Sequence, residues 1–516
     1  MNSNSTTSFH VNTARRLFVD DQIVGSRENV TRVLHQVTKH PDNPIFFPCR
    51  AWEGIKIKLY GSVIREDDGL FRMWYLAGNS DPGDYQNRSL ICYAVSDDGL
   101  NWQRPDLGLH EFKGHLANNI VYRSHSDGGK RKARILDVSV IKDPLDPDPT
   151  RRYKLINWQY NDEDYYSGDI PFPSGAYAAV SPDGLHWTES PTPLFKFVDS
   201  IGDTIYLMHD TIRRRYVAFV KIFLDGDSKM RIQATKDGWC RVDPEGNFHL
   251  VDPQAENLRL RQRAIAFSED FVTWNTPELM FPIDEQDPPD VEHYKNNGFV
   301  YESMYLGLLS IYHLSTGCQD FQLISSHDGE HWDRAADRAV FLPSGRPYRD
   351  WDFGTASVAG SPPILIGDEL WFYYDAQWNI HGQNSPNRYT AEPRGVAGYA
   401  IGLAKLRRDG FVSLDAGAEE ALVETKPLIL EGDELKINAD CTHGELRAEV
   451  VDASGDVLAG LSREDCLPVT GDSVRHAVQW QGTQSLSELQ RREVRLRFYW
   501  QNGALYSFWC EPTAVD

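Results

Sequence analysis

Ser96-Asp-Asp-Gly-Leu-Asn-Trp102 returns along the chain as Ser181-Pro-Asp-Gly-Leu-His-Trp187, Ser268-Glu-Asp-Phe-Val-Thr-Trp274 and Ser326-His-Asp-Gly-Glu-His-Trp332. The shared form is S-x-D-(G/F)-x-x-W. Each copy follows a strand-like run: Ile91-Cys-Tyr-Ala-Val95, Ala176-Tyr-Ala-Ala-Val180 and Phe321-Gln-Leu-Ile-Ser325 are examples. Such a segment reads as a hairpin. Asp-Gly supplies a positive-φ pair, Ser caps the turn, and Trp packs the returning strand onto its sheet. A degenerate fifth copy is Leu406-Arg-Arg-Asp-Gly-Phe-Val-Ser-Leu414, after Gly398-Tyr-Ala-Ile-Gly402.

Between the copies lie further aromatic or β-branched runs, among them Leu70-Phe-Arg-Met-Trp-Tyr75, Arg152-Tyr-Lys-Leu-Ile156, Tyr216-Val-Ala-Phe-Val220 and Leu370-Trp-Phe-Tyr-Tyr374. A recurring multi-stranded unit with irregular loops predicts a β-propeller, here of five blades. After about residue 424 the pattern changes. Alternating runs such as Leu446-Arg-Ala-Glu-Val-Val451 and Val494-Arg-Leu-Arg-Phe498, with one helix-like polar stretch at Ser485–Arg492, predict a β-sandwich. The expected fold is therefore all-β, a five-bladed β-propeller followed by a C-terminal β-sandwich. Its expected divisions are an N-terminal segment wrapping the propeller (1–44), the propeller (45–420) and the sandwich (421–516).

Composition agrees with a large folded chain: 516 residues, 41% hydrophobic, with 14 Trp, 23 Tyr and 23 Phe. The 53 basic and 75 acidic residues leave a net charge of −22, which argues against nucleic-acid and anionic-membrane partners. No window approaches 18 uninterrupted apolar residues, and the opening residues lack the basic start and apolar core of a signal peptide. The expectation is a soluble, cytoplasmic protein. Seven cysteines, odd in number and with no C-x-x-C pair, read mostly as small buried hydrophobes and predict neither a disulfide framework nor a zinc site.

A five-bladed propeller followed by a sandwich resembles the glycoside hydrolases of family 32 and their relatives in families 43, 68 and 117. Arg16-Leu-Phe-Val-Asp-Asp21, Trp52-Glu-Gly54, Arg72-Met-Trp-Tyr75 and the C-terminal run Gly444–Asp452 look like family-32-like proteins. The resemblance implies paired carboxylates at one end of the propeller axis, one protonating the leaving oxygen and the other attacking or activating water. It places Asp137, in Asp137-Val-Ser-Val-Ile-Lys-Asp143, where these families carry the Asp that stabilises the transition state or tunes the acid. Asp203 falls where they usually carry a Glu general acid. Their W-M-N-D-P-N-G nucleophile segment is absent; Tyr60 falls near its place, and Glu53 could supply a carboxylate from the preceding loop.

Taken as strand entries, Tyr301-Glu-Ser-Met-Tyr305 offers Glu302 and Trp351-Asp-Phe-Gly354 offers Asp352. The expected catalytic set is Asp137, Glu302, Asp203 and Glu53. Glu302 or Asp203 would be the general acid, and Glu53 or Asp137 the nucleophile or base. Asp352 would position the substrate, with Trp52, Tyr206, Tyr305, Trp351, His313 and His381 stacking on or bonding to the sugar. Each has a bland alternative, since an Asp at a strand entry often caps a turn and a Trp in a propeller often packs between blades. Neither metal nor cofactor is expected. The function expected is hydrolysis of a glycosidic bond, exo-acting on a fructoside or arabinoside, with a small carbohydrate as partner and self-association left open. A transglycosidase or phosphorylase on the same scaffold, or a non-catalytic glycan-binding propeller, stays open beside it.

Overall fold

The computed structural model describes residues 8–54, 56–78, 89–123, 133–161, 174–196, 201–224, 231–235, 238–242, 248–251, 260–347, 349–378, 380, 399–482 and 485–512. The fold is all-β, with five antiparallel sheets set as the blades of a propeller. Their innermost strands are Lys56–Arg65, Ala133–Lys142, Tyr206–Asp210, Val291–Asn296 and Ala356–Val358. Blade 4 has its inner strand in two pieces: both Val291–Asn296 and Phe299–Tyr301 pair with Met304–His313. Blade 5 is closed by an early segment, because Thr38–Lys39 pairs with its third strand, Tyr399–Arg407.

The repeated segment sits where the third strand of each of the first four blades ends. Its local chemistry explains the repeat. In the first copy the Ser96 hydroxyl accepts from Gly99 N (2.9 Å), while one Asp98 oxygen accepts from Leu100 N (2.8 Å) and Asn101 N (2.7 Å). In the second, burial alone would raise the Asp183 carboxyl, but bonds from the His186 and Leu185 amides bring it down to about 2. Only one residue per turn takes a positive φ: Gly99 (73°), Gly184 (79°), Phe271 (63°) and Gly329 (70°). The Asp is thus a side-chain cap, and the expected positive-φ pair is not formed. The Trp residues serve blade-to-blade packing as well. Trp102 meets Phe71 of its own blade and Tyr373 of blade 5, and Trp332 meets Phe219 of blade 3. The degenerate copy forms the turn after the third strand of blade 5, with Asp409 at φ 59°.

The C-terminal strands Leu428–Leu430, Glu434–Asp452, Val469–Val478, Glu493–Gln501 and Gly503–Glu511 join a further sheet around their own buried core of Leu435, Leu446, Phe498 and Phe508. Within Ser485–Arg492 only Ser487–Leu489 forms a single 3-10 turn. The N-terminal strands Phe9–Val11, Arg16–Leu17, Val24–Glu28 and Thr31–Leu34 pair within this same sheet. Among the described residues no helix is long and apolar enough to cross a membrane, which leaves β-barrel crossing unaddressed. The six described cysteines are free, four of them buried; Cys240 falls where no side chain is described.

Candidate functional site

Charged side chains rarely enter a buried strand unless partners await them. Strand Val291–Asn296 is buried at every position and still carries Glu292, His293 and Lys295. The run Trp371-Phe-Tyr-Tyr-Asp-Ala376 carries Asp375, fully buried, beside aromatics. Of these, Lys295 and Asp375 meet Asp137 of blade 2 near the axis.

Lys295 is the centre of that meeting. Its ammonium lies 3.9 Å from Asp137 Oδ1, donates to Ser357 Oγ (3.0 Å) and Tyr206 Oη (3.4 Å), and covers the Tyr60 ring. Asp137 accepts from Thr204 N through Oδ2, while its buried Oδ1 has no hydrogen bond. Neither oxygen of Asp375 has a hydrogen bond of ordinary geometry, although the nearby Leu59 amide favours its charged form. Burial pushes the Asp375 carboxyl up to about 7 against the pull of Lys295 and Lys58. Burial likewise pushes Lys295 down to about 7, opposed by Asp137 and Asp375.

Blade 3 supplies a second layer. Fully buried Arg263 donates to Asn296 Oδ1 (2.7 Å), Thr204 Oγ1 (3.1 Å) and three backbone carbonyls, and burial lowers it to about 9. Lys221 pairs with Asp203 and Arg261 with Glu292. Burial, then the Arg261 charge, hold Lys221 well below the ordinary lysine value. Lys58 lies 4.4 Å from the Tyr60 ring and 4.2 Å from that of Tyr399. The cluster reaches solvent through Asp203, Arg261 and Lys58, each part-buried.

Of the residues expected from sequence, Asp137, Asp203 and Tyr206 come together here, as does Tyr60. The others are placed elsewhere. Glu302 is not at a strand entry: it lies in the turn after Phe299–Tyr301, at φ 51°, accepting from Arg15 N and Arg408 Nη2 (both 3.1 Å). Glu53 is fully buried and fully used, by Cys49 N (2.8 Å), Arg50 N (3.0 Å), Tyr75 Oη and Arg104 Nε (both 2.6 Å). Asp352 accepts from Tyr374 Oη (2.9 Å) and pairs with Lys39 (2.7 Å), a tie within blade 5.

The expected sugar-binding aromatics have structural partners. Trp52 Nε1 donates to Asn119 (2.7 Å), Tyr305 donates to Asp210 (2.8 Å), and Trp351 lies against Tyr374. His313 pairs with Asp320 (2.9 Å), which raises the imidazole above its ordinary value. His381 lies outside the described residues. Lys58, Lys295, Arg263, Tyr294, Tyr399 and Asp375 escaped the sequence reading; for Asp375 the available signal was a charged residue inside the aromatic run Trp371–Ala376. Among the described residues no group of three or more His, Cys, Asp or Glu could hold a metal ion. A separate concavity of about 1170 Å³ lies between Thr31–Leu34 and Asp333–Ala339 and contains none of the axial residues.

No family model matches the chain, and no curated protein matches it. Solved structures do. One is described as the GH130 family of mannoside phosphorylases, containing glycoside hydrolases that target β-1,2 mannosidic linkages in Candida mannan; identity is 14%, over 73% of this chain and 94% of that chain, with a TM-score of 0.43. An N-acetylgalactosamine deacetylase from F. plautii, bound to blood group B trisaccharide, is 13% identical over 73% of this chain and 96% of that one, TM-score 0.43. A glycosyl hydrolase from Bacteroides ovatus is 12% identical over 73% and 94%, TM-score 0.42.

Proposed function

We propose that the chain cleaves a glycosidic bond with Asp375 as general acid and Asp137 as its carboxylate partner. The observation that carries this reading is the convergence of two buried carboxyls in unlike surroundings, one of them pushed up to about 7. Divided environments of this kind assign the acid and its partner in glycoside hydrolysis. Asp375 would give its proton to the glycosidic oxygen as the carbon–oxygen bond breaks. Asp137 would attack the anomeric carbon or take a proton from the attacking water. Tyr60, Tyr206, Tyr294 and Tyr399 surround the pair and would offer ring faces and hydroxyls to the sugar. The sugar we propose is a terminal furanoside, fructose or arabinose, on the strength of the sequence resemblance.

A glycosyl-transferring version with phosphate as acceptor is favoured by one observation: Lys58, Lys221, Lys295, Arg261 and Arg263 gather around the same carboxyls in a chain of net charge −22.

The test is release of sugar from a panel of aryl furanosides, aryl pyranosides and short oligosaccharides, with and without phosphate, for wild type, Asp137→Asn and Glu302→Gln. Turnover should fall by about 10²–10⁴-fold in Asp137→Asn and stay within twofold in Glu302→Gln. Phosphate-dependent product would select the transferring version. Full activity in Asp137→Asn would reject the site, and no wild-type turnover on any glycoside would reject the reaction.

A further inference from the structure

Lys295 is 1% exposed and comes from blade 4, whereas the two carboxyls come from blades 2 and 5. Every neighbouring element sends a charged or titratable group towards it: Lys58 and Tyr60 from blade 1, Asp137 from blade 2, Tyr206, Lys221 and Arg263 from blade 3, and Asp375 from blade 5. The bond to Ser357 and the contact with Tyr206 fix where the ammonium sits. Arg263 cannot take its place, because its donors are committed to Asn296, Thr204 and backbone carbonyls.

We infer that Lys295 is a positioning residue for the axial carboxyls, holding Asp137 as the carboxylate and leaving the proton of the pair on Asp375. A buried carboxylate without a counter-charge takes up a proton, and an opposite charge within about 4–6 Å prevents this. Asp137 has that cation at 3.9 Å and a second partner in Thr204 N. Asp375 has no salt-bridge partner within 4 Å among the described residues and no ordinary hydrogen bond, so it keeps the proton. This inference rests on the assignment of Asp375 and Asp137 proposed above.

The pH profile of kcat/KM tests it, for wild type, Lys295→Met and Lys295→Arg. Without the cation both limbs should move to higher pH, the acid limb by about 1–3 units, and arginine should return that limb most of the way. A uniform loss at every pH, with the limbs unmoved, would mean a merely structural lysine and would overturn the proposal. Titration of ¹³C-labelled aspartate carboxyls in the intact wild-type chain reads the same point without turnover or a variant. Asp137 is expected to ionise before Asp375; the reverse order overturns the proposal even if the enzyme proves to be a glycosidase. The expected order in a chain that turns over no glycoside would reject the reaction and keep the electrostatic role.

Discussion

Asp375→Asn should lower kcat by about 10²–10⁴-fold and, at neutral and alkaline pH, leave the folded chain more stable than wild type. The two effects have one cause. An unfolded Asp titrates near 3.9, whereas Asp375 in the fold is pushed up to about 7, burial being the largest cause. Between those values the folded chain keeps a proton that the unfolded chain has released. Stability from this group is therefore fully present below the unfolded value and is lost as pH rises through about 7. Asparagine fills nearly the same volume and never ionises, so the variant escapes that loss, on the order of a few kcal/mol for a shift of this size. Lys295, lowered to about 7, acts in the opposite sense: its folded form gives up a proton that the unfolded chain keeps up to the ordinary lysine value, so stability from this group rises with pH over that range. Thermal or urea midpoints from pH 4 to 9, wild type beside Asp375→Asn, isolate the carboxyl. A variant that is both less stable at pH 8 and fully active would show Asp375 to be an ordinary core residue.

Asp409→Ala should cost about 3–5 kcal/mol of stability with little effect on chemistry per folded molecule. Asp409 has no exposed surface and four side-chain donors: Arg15 Nη1 (2.6 Å), Ser507 Oγ (2.6 Å), Tyr301 Oη (2.8 Å) and Asn438 Nδ2 (3.1 Å). Those donors belong to the N-terminal segment, the C-terminal sheet and blade 4, so one carboxylate ties three parts of the chain. Alanine would strand Arg15, which is 3% exposed and lies 3.8 Å over the Trp509 ring, with Glu302 at 4.0 Å as the other carboxylate it reaches. Removing one partner of a buried ion pair is costly because the remaining charge keeps its desolvation penalty. A second change, Arg15→Met, should recover part of the loss, since it removes the stranded charge. Urea unfolding of the two single variants and the double variant decides this. A cost below about 1 kcal/mol for Asp409→Ala would reduce the cluster to an ordinary surface pairing.

The blade repeat was legible because its causes are local. Ser, Asp and Gly of S-x-D-G-x-x-W satisfy one another within about three residues, so the pattern survives in the sequence wherever the turn does. Asp137 and Asp203 were named through the family resemblance, and they lie in or just before the inner strands Ala133–Lys142 and Tyr206–Asp210. Glu302 was misplaced for an equally definite reason. The inner strand of blade 4 is interrupted at Asn297–Gly298, where a Cβ on Gly298 would lie 2.3 Å from Phe219. Beyond that break the residues from Tyr301 onward have the pattern of a new strand, yet Phe299–Tyr301 is the end of the inner strand and Glu302 its turn.

The sequence alone thus determined the all-β class, the five-bladed repeat and the strand-rich C-terminal region, because hydrophobic period and turn chemistry act over a few residues. Tertiary structure alone decided which charges share the axis. Lys58, Asp137, Lys295 and Asp375 stand on four different blades, and each becomes a partner of the others only when blade 5 closes on blade 1. Closure also takes Asp137, Lys295 and Asp375 out of water, and that desolvation separates an acid near neutrality from the many acidic residues the chain leaves exposed.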